Sequence, residues 1–123
     1  MMFKPKIISV EAEHPRFLRD GKNLEWTVGN VTLDSSKLEQ GQVIKNGTAV
    51  FKNIQSGFYE LVTEDTPETM AAPVITGRDV TIDDKSVNVH VSALRKGSVY
   101  GEAITGLTDN FKKATQGRIT YDV

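Results

Sequence analysis

Few side chains in this 123-residue chain carry chemistry: two histidines, a lysine beside Asn-Gly, a cluster of aspartates, one acidic run and two serines near glycines. His14 precedes Pro15, and His90 sits in Val87-Asn88-Val89-His90-Val91. Acid–base work needs a nucleophile or an orienting carboxylate within reach of the imidazole, and no motif around either histidine supplies one. Both are expected to be solvated or hydrogen-bonded. Asp79, Asp83 and Asp84 offer the hard oxygens that calcium takes, but without the alternating ligands, glycine and terminal glutamate of an EF-hand loop. Asp83-Asp84-Lys85-Ser86 is expected to be a turn. Glu64, Asp65 and Glu68 fall in a polar, proline-bearing stretch (residues 63–69), a poor holder of two carboxylates at a fixed separation. Gly97-Ser98-Val99-Tyr100-Gly101 lacks the spacing and the lysine of a phosphate loop, and Ser92 and Ser98 have no nucleophile-elbow context.

Lys45 is the sharper candidate. A lysine at a hairpin tip is how biotinyl and lipoyl carrier domains present their modified residue, but those domains flank it with a characteristic acidic or Ala-Met/Met sequence. Here the neighbours are Ile44 and Asn46. No catalytic residue, cofactor site or metal site is therefore expected, and no enzyme activity. With no cysteine there is no disulfide framework and no thiol nucleophile. A formal charge of −1 argues against a nucleic-acid partner, which would call for a basic face. No apolar window reaches bilayer-spanning length, and the opening residues lack a signal-like apolar run, so neither a membrane nor secretion is expected. The sequons at Asn30 and Asn46 then read as turn and strand residues.

The elements that would position these groups are short strands. Around Asn46-Gly47 and Ser56-Gly57, β-branched and aromatic runs predict consecutive hairpins, with strands near Val43–Lys45, Ala49–Lys52 and Phe58–Val62. Leu24 to Leu33 is strand-like, with a bulge or tight turn at Gly29-Asn30. Val87–Val91 alternates with period two and predicts valines facing inward. Val99–Ile104 suggests a short helix. Thr108–Gly117 is a better one, with Thr108 as cap, Asp109 at the positive end of the dipole, Lys112 and Lys113 at the negative end, and Gly117 to terminate. Arg118–Tyr121 closes with a strand. Core candidates are Trp26, Val43, Val50, Phe51, Tyr59, Leu61, Val89, Val91, Leu107, Phe111 and Ile119. The expected fold is mixed α+β and β-rich: a small barrel-like or sandwich-like antiparallel domain with one or two short helices in its C-terminal third. Residues 1–23, broken at His14-Pro15 and Asp20-Gly21, are expected to form an extended arm, and residues 24–123 a single domain.

The block Leu38 to Asn53 (Leu38-Glu39-Gln40-Gly41-Gln42-Val43-Ile44-Lys45-Asn46-Gly47-Thr48-Ala49-Val50 and on to Asn53), the Gly57–Val62 strand and the later order of segments, ending in Gly117-Arg118-Ile119-Thr120-Tyr121, resemble the lambda-type bacteriophage head decoration proteins. The likeness spans roughly residues 24–123. The acidic insertion Glu64–Thr69 and the long arm depart from the family's pattern. The resemblance implies a virion structural protein on the outside of an expanded icosahedral capsid. There it would sit as a homotrimer at three-fold sites, cementing the major capsid protein against DNA pressure, and reside in the host cytoplasm before assembly. It also implies an arm that adds a strand to capsid protein. Phe3, Pro5, Ile7, Ile8, Val10 and Phe17 are the expected capsid-binding residues. The same composition also fits a small ligand-binding or carrier β-domain, or another head or tail structural protein.

Overall fold

The computed structural model describes residues 17–19, 24–27 and 29–122. Among the described residues there are ten strands: β1 (Glu25–Trp26), β2 (Val31–Leu33), β3 (Val43–Ile44), β4 (Ala49–Lys52), β5 (Tyr59–Leu61), β6 (Ala71–Thr76), β7 (Val80–Thr81), β8 (Val89–Val91), β9 (Ala93–Tyr100) and β10 (Ile119–Asp122). One helix, α1 (Asp109–Ala114), and two 3-10 turns, Ser35–Lys37 and Gly101–Ala103, complete the order among the described residues. The fold is β-rich, as expected, with a strongly curled half-barrel sheet and its short helix near the C-terminus.

The large sheet runs β1-β9-β6-β4-β5-β2-β8, with β10 added to β9, and β3 and β7 form a separate ribbon. Pairings are antiparallel except for β2 with β5 and β10 with β9. Successive residues of its central strands enter different cores. Ala49, Ile75 and Leu94 join Phe17, Leu18, Val99, Phe111 and Ile119 on one side. Val50, Val74 and Ala93 join Val31, Leu33, Ile44, Ile82 and Val91 on the other. Because side chains alternate across a strand, β4, β6 and β9 are covered on both faces, the first by α1 with Phe17 and Leu18, the second by the ribbon. Burial on both faces selects continuous apolar runs such as Pro73-Val74-Ile75 instead of alternation.

Helix α1 forms as its local sequence demands. The Thr108 hydroxyl accepts from the Phe111 N–H at 3.1 Å, Asp109 and Lys112–Lys113 match the dipole, and Gly117 adopts φ 89° beyond the end. The buried Thr115 hydroxyl donates to the Phe111 carbonyl at 2.9 Å and shares a 2.7 Å hydrogen bond with the Tyr121 hydroxyl, which ties the helix to β10.

Several expectations are corrected. The Asn46-Gly47 turn does not close a β3–β4 hairpin: β3 pairs with β7 and β4 with β5 and β6, so the turn hands the chain from ribbon to sheet. The hairpin between β4 and β5 is as expected, turning at Gly57 with φ 80°. Leu24–Leu33 splits at Gly29, β1 going to β9 and β2 to β5 and β8. No helix covers Val99–Ile104. The ladder of β9 with β10, and Leu18 opposite Val99, hold that backbone extended to Tyr100, where a 3-10 turn follows. Val50, Val91, Phe111 and Ile119 are buried, and Phe51, Tyr59, Leu61, Val89 and Leu107 pack partly buried against the cores. Trp26, on the short strand β1, is 38% exposed, and Val43 is 46% exposed because its neighbour Ile44 takes the inward side of the ribbon.

Candidate functional site

Phe17 is fixed from both backbone and side chain. Its carbonyl accepts the Tyr100 N–H at 2.8 Å, Leu18 pairs across from Val99, and the Arg19 N–H donates to the Ser98 carbonyl at 3.0 Å. Arg19 also forms an ion pair with Asp122 at 2.9 Å. The Phe17 ring is 1% exposed, within the core that contains Phe111 and Leu94. Assignment of Phe17 to a docking arm is thereby corrected. It is a core residue, and the segment 17–19 belongs with the folded domain, ahead of the boundary expected at residue 23. Phe3, Pro5, Ile7, Ile8 and Val10 lie outside the described residues, as does His14.

Phe17 also lines an open cleft of about 420 Å³ with Lys45, Asn46, Asp79, Glu102 and Thr105. The Asp79 carboxylate accepts from the backbone N–H of Asn46 at 2.7 Å and from its side-chain amide at 2.8 Å. These bonds, with the charge of Lys45, hold the Asp79 carboxyl below the usual carboxylate range. Beneath the cleft, the hydroxyls of Thr48 and Thr76 both donate to the Lys45 carbonyl, at 2.6 and 2.9 Å. Thr76 also accepts the Thr48 N–H at 3.0 Å. Lys45 therefore has a carbonyl anchored by two hydroxyls and an exposed side chain, at a sheet-to-ribbon corner instead of a hairpin tip.

The other sequence candidates are dispersed. His90 is exposed, with Nδ1 2.8 Å from the Thr32 hydroxyl on the adjoining strand β2. Asp84 accepts from the Ser86 N–H and hydroxyl, making the expected turn, while Asp79 is occupied by Asn46, so the three aspartates do not converge. Among the described residues, no group of three or more histidines and carboxylates is placed to hold a metal ion. Nor is any helix among them long and apolar enough to cross a membrane. The acidic loop is pinned by buried Thr66, whose carbonyl accepts from the Asn110 side chain at 3.0 Å, while Glu68 reaches Lys113 at 3.5 Å on the surface. Sequence reasoning did not reach a second cleft, at Arg95 and Arg118, because strands distant in sequence assemble it.

The chain matches no known protein-family model, and a search of curated proteins likewise finds no match.

Proposed function

We propose that this protein is a capsid-cementing structural protein. It binds the outer surface of an expanded icosahedral phage head as a trimer at three-fold sites and stabilises the shell against internal DNA pressure. The observation that carries this reading is the attachment of Phe17–Arg19 to β9. It gives residues 1–16, which include the apolar Phe3, Ile7, Ile8 and Val10, a root hydrogen-bonded to the sheet. Fully extended, a segment of that length reaches at most about 55 Å, enough to cross onto a neighbouring subunit. An extended segment docks by adding a strand to an exposed sheet edge, main-chain hydrogen bonds giving affinity and alternate side chains giving specificity. Three such segments on one trimer turn weak single contacts into strong attachment. Preference for the expanded shell stabilises that state by mass action.

A cryo-electron microscopy reconstruction of expanded heads incubated with the protein tests this directly. Trimeric density at the three-fold positions, absent from undecorated heads, is the expected result; undecorated three-fold positions at saturating protein would refute the reading.

A further inference from the structure

Arg118 lies in the turn just ahead of β10, with its guanidinium held against the sheet. Its backbone N–H donates to Thr115 and its carbonyl accepts from Gly97, each at 3.0 Å. Its side chain donates to the carbonyls of Arg95 at 2.8 Å and Pro73 at 3.2 Å. The Pro73 carbonyl is brought there by a bulge in β6. Val74 pairs with Val50 and Ala71 with Lys52, so Ala72 and Pro73 together face the single residue Phe51. Ala72 at that bulge has φ 44°, the one non-glycine residue with positive φ among those described. Such strain persists where the surroundings enforce it, and it collects at functional surfaces.

Arg118 and Arg95 line one open cleft of about 430 Å³ with Thr27, Tyr59, Ala72 and Pro73. Arg95 pairs with Glu25, and Lys96 reaches the same carboxylate at 3.7 Å. Among the described residues no carboxylate is paired with Arg118. Arg95 thus shares its carboxylate partner, Glu25, with Lys96. Partial burial, and then the adjacent charge of Arg95, both work against the charge on Arg118. Two backbone carbonyls orient the guanidinium without neutralising it, and they leave part of its five-donor fork unengaged.

We propose that this cleft docks an acidic segment of a partner protein, with an Asp or Glu carboxylate bound between Arg95 and Arg118. A planar guanidinium fork matches a carboxylate in geometry as well as charge. Glu25 already shows Arg95 taking one in cis. The apolar wall of Ala72 and Pro73 suits the methylene stem that carries such a group. Nucleic acid does not fit, because a phosphate backbone needs cations repeated along a track, and this is one compact pair on a chain of net charge −1. The inference goes beyond capsid cementing and commits to a carboxylate-bearing protein segment as the occupant.

The test is a titration of isotope-labelled protein at constant ionic strength, followed by amide chemical shifts. The probes are a short amidated peptide bearing two glutamates, its glutamine counterpart, and inorganic phosphate. The glutamate peptide is expected to give saturable shifts at Tyr59, Ala72 and Arg118. Binding should weaken about tenfold in Arg118→Gln, the loss expected for one partly exposed charge-assisted hydrogen-bonded contact. Arg95→Gln, whose side chain is exposed and whose carbonyl remains for Arg118, should weaken it as well and covers the case in which Arg118→Gln misfolds. Glu25→Gln, which frees Arg95, should tighten it roughly threefold. The proposal is overturned by an absence of saturable shifts, an equal response to the glutamine peptide, unchanged affinity in Arg95→Gln, or tighter binding of phosphate than of the glutamate peptide.

Discussion

Phe17 lies directly against Gly47: a Cβ placed on that glycine would sit 3.2 Å from both Cβ and Cδ1 of the phenylalanine. It would also lie 3.0 Å from the Ala103 carbonyl oxygen. The corner that passes the chain from ribbon to sheet is thus closed around the root of the N-terminal segment.

Gly47→Ala should therefore destabilise on two counts. The residue has φ 84°, where a Cβ costs about 1–2 kcal/mol. Overpacking against Phe17 adds about 1–3 kcal/mol. Gly41→Ala, at φ 82° with nothing within 4 Å, should show only the first effect. Urea denaturation of both variants separates the two; equal losses would mean that the Phe17 contact contributes nothing.

Phe17→Ala should cost about 3–5 kcal/mol, the usual range for a fully buried phenylalanine. Val43→Ala, on an exposed face of the ribbon, should cost less than about 1 kcal/mol. This ordering reverses what the sequence suggests for an arm residue and a core residue. Chemical denaturation of the two variants in parallel checks it, and a smaller loss for Phe17→Ala than for Val43→Ala would contradict the packing described.

Burial pushes the Tyr121 phenol from its ordinary value of 10.0 up to about 12, outweighing the hydrogen bond with Thr115 and the charge of Arg118. The folded state consequently holds this proton more tightly than the unfolded chain. Below about pH 10 the contribution is complete; between pH 10 and 12 the unfolded chain ionises first and stability falls. The slope is at most about 1.4 kcal/mol per pH unit, less with screening at the exposed edge of the ring. Across this window the stability difference between the wild type and Tyr121→Phe should shrink. A difference that stays constant from pH 9 to about 12 would exclude the linkage.

What was legible in the sequence was what is local. Helix α1 carries its cap, its dipole charges and its terminator within ten residues, from Thr108 to Gly117, and it forms as expected. The β4–β5 hairpin likewise has its turn beside its strands. The partner of β3 was not legible, because β7 lies far along the chain and Asn46-Gly47 shapes a corner as readily as a hairpin. Strand β9 was hidden for another reason. Its inward residues Ala93, Leu94, Gly97 and Val99 serve both faces of the sheet around exposed Arg95 and Lys96, so no period of two survives. The candidate sites share this limit: Phe17 meets Gly47, and Arg95 meets Arg118, only through the sheet.

In the proposed cementing role, this domain attaches to expanded heads through the residues ahead of Phe17. Pelleting with expanded and unexpanded shells, using the full chain and a form containing residues 17–123, addresses it most directly, with a thermal melt of each form run alongside. The full chain should co-pellet with expanded shells only, while the shorter form keeps a cooperative melt, because Phe17 and Leu18 remain in its core, and stays in the supernatant. Full co-pelleting of the shorter form, or no co-pelleting of either form, would rule out attachment through these residues.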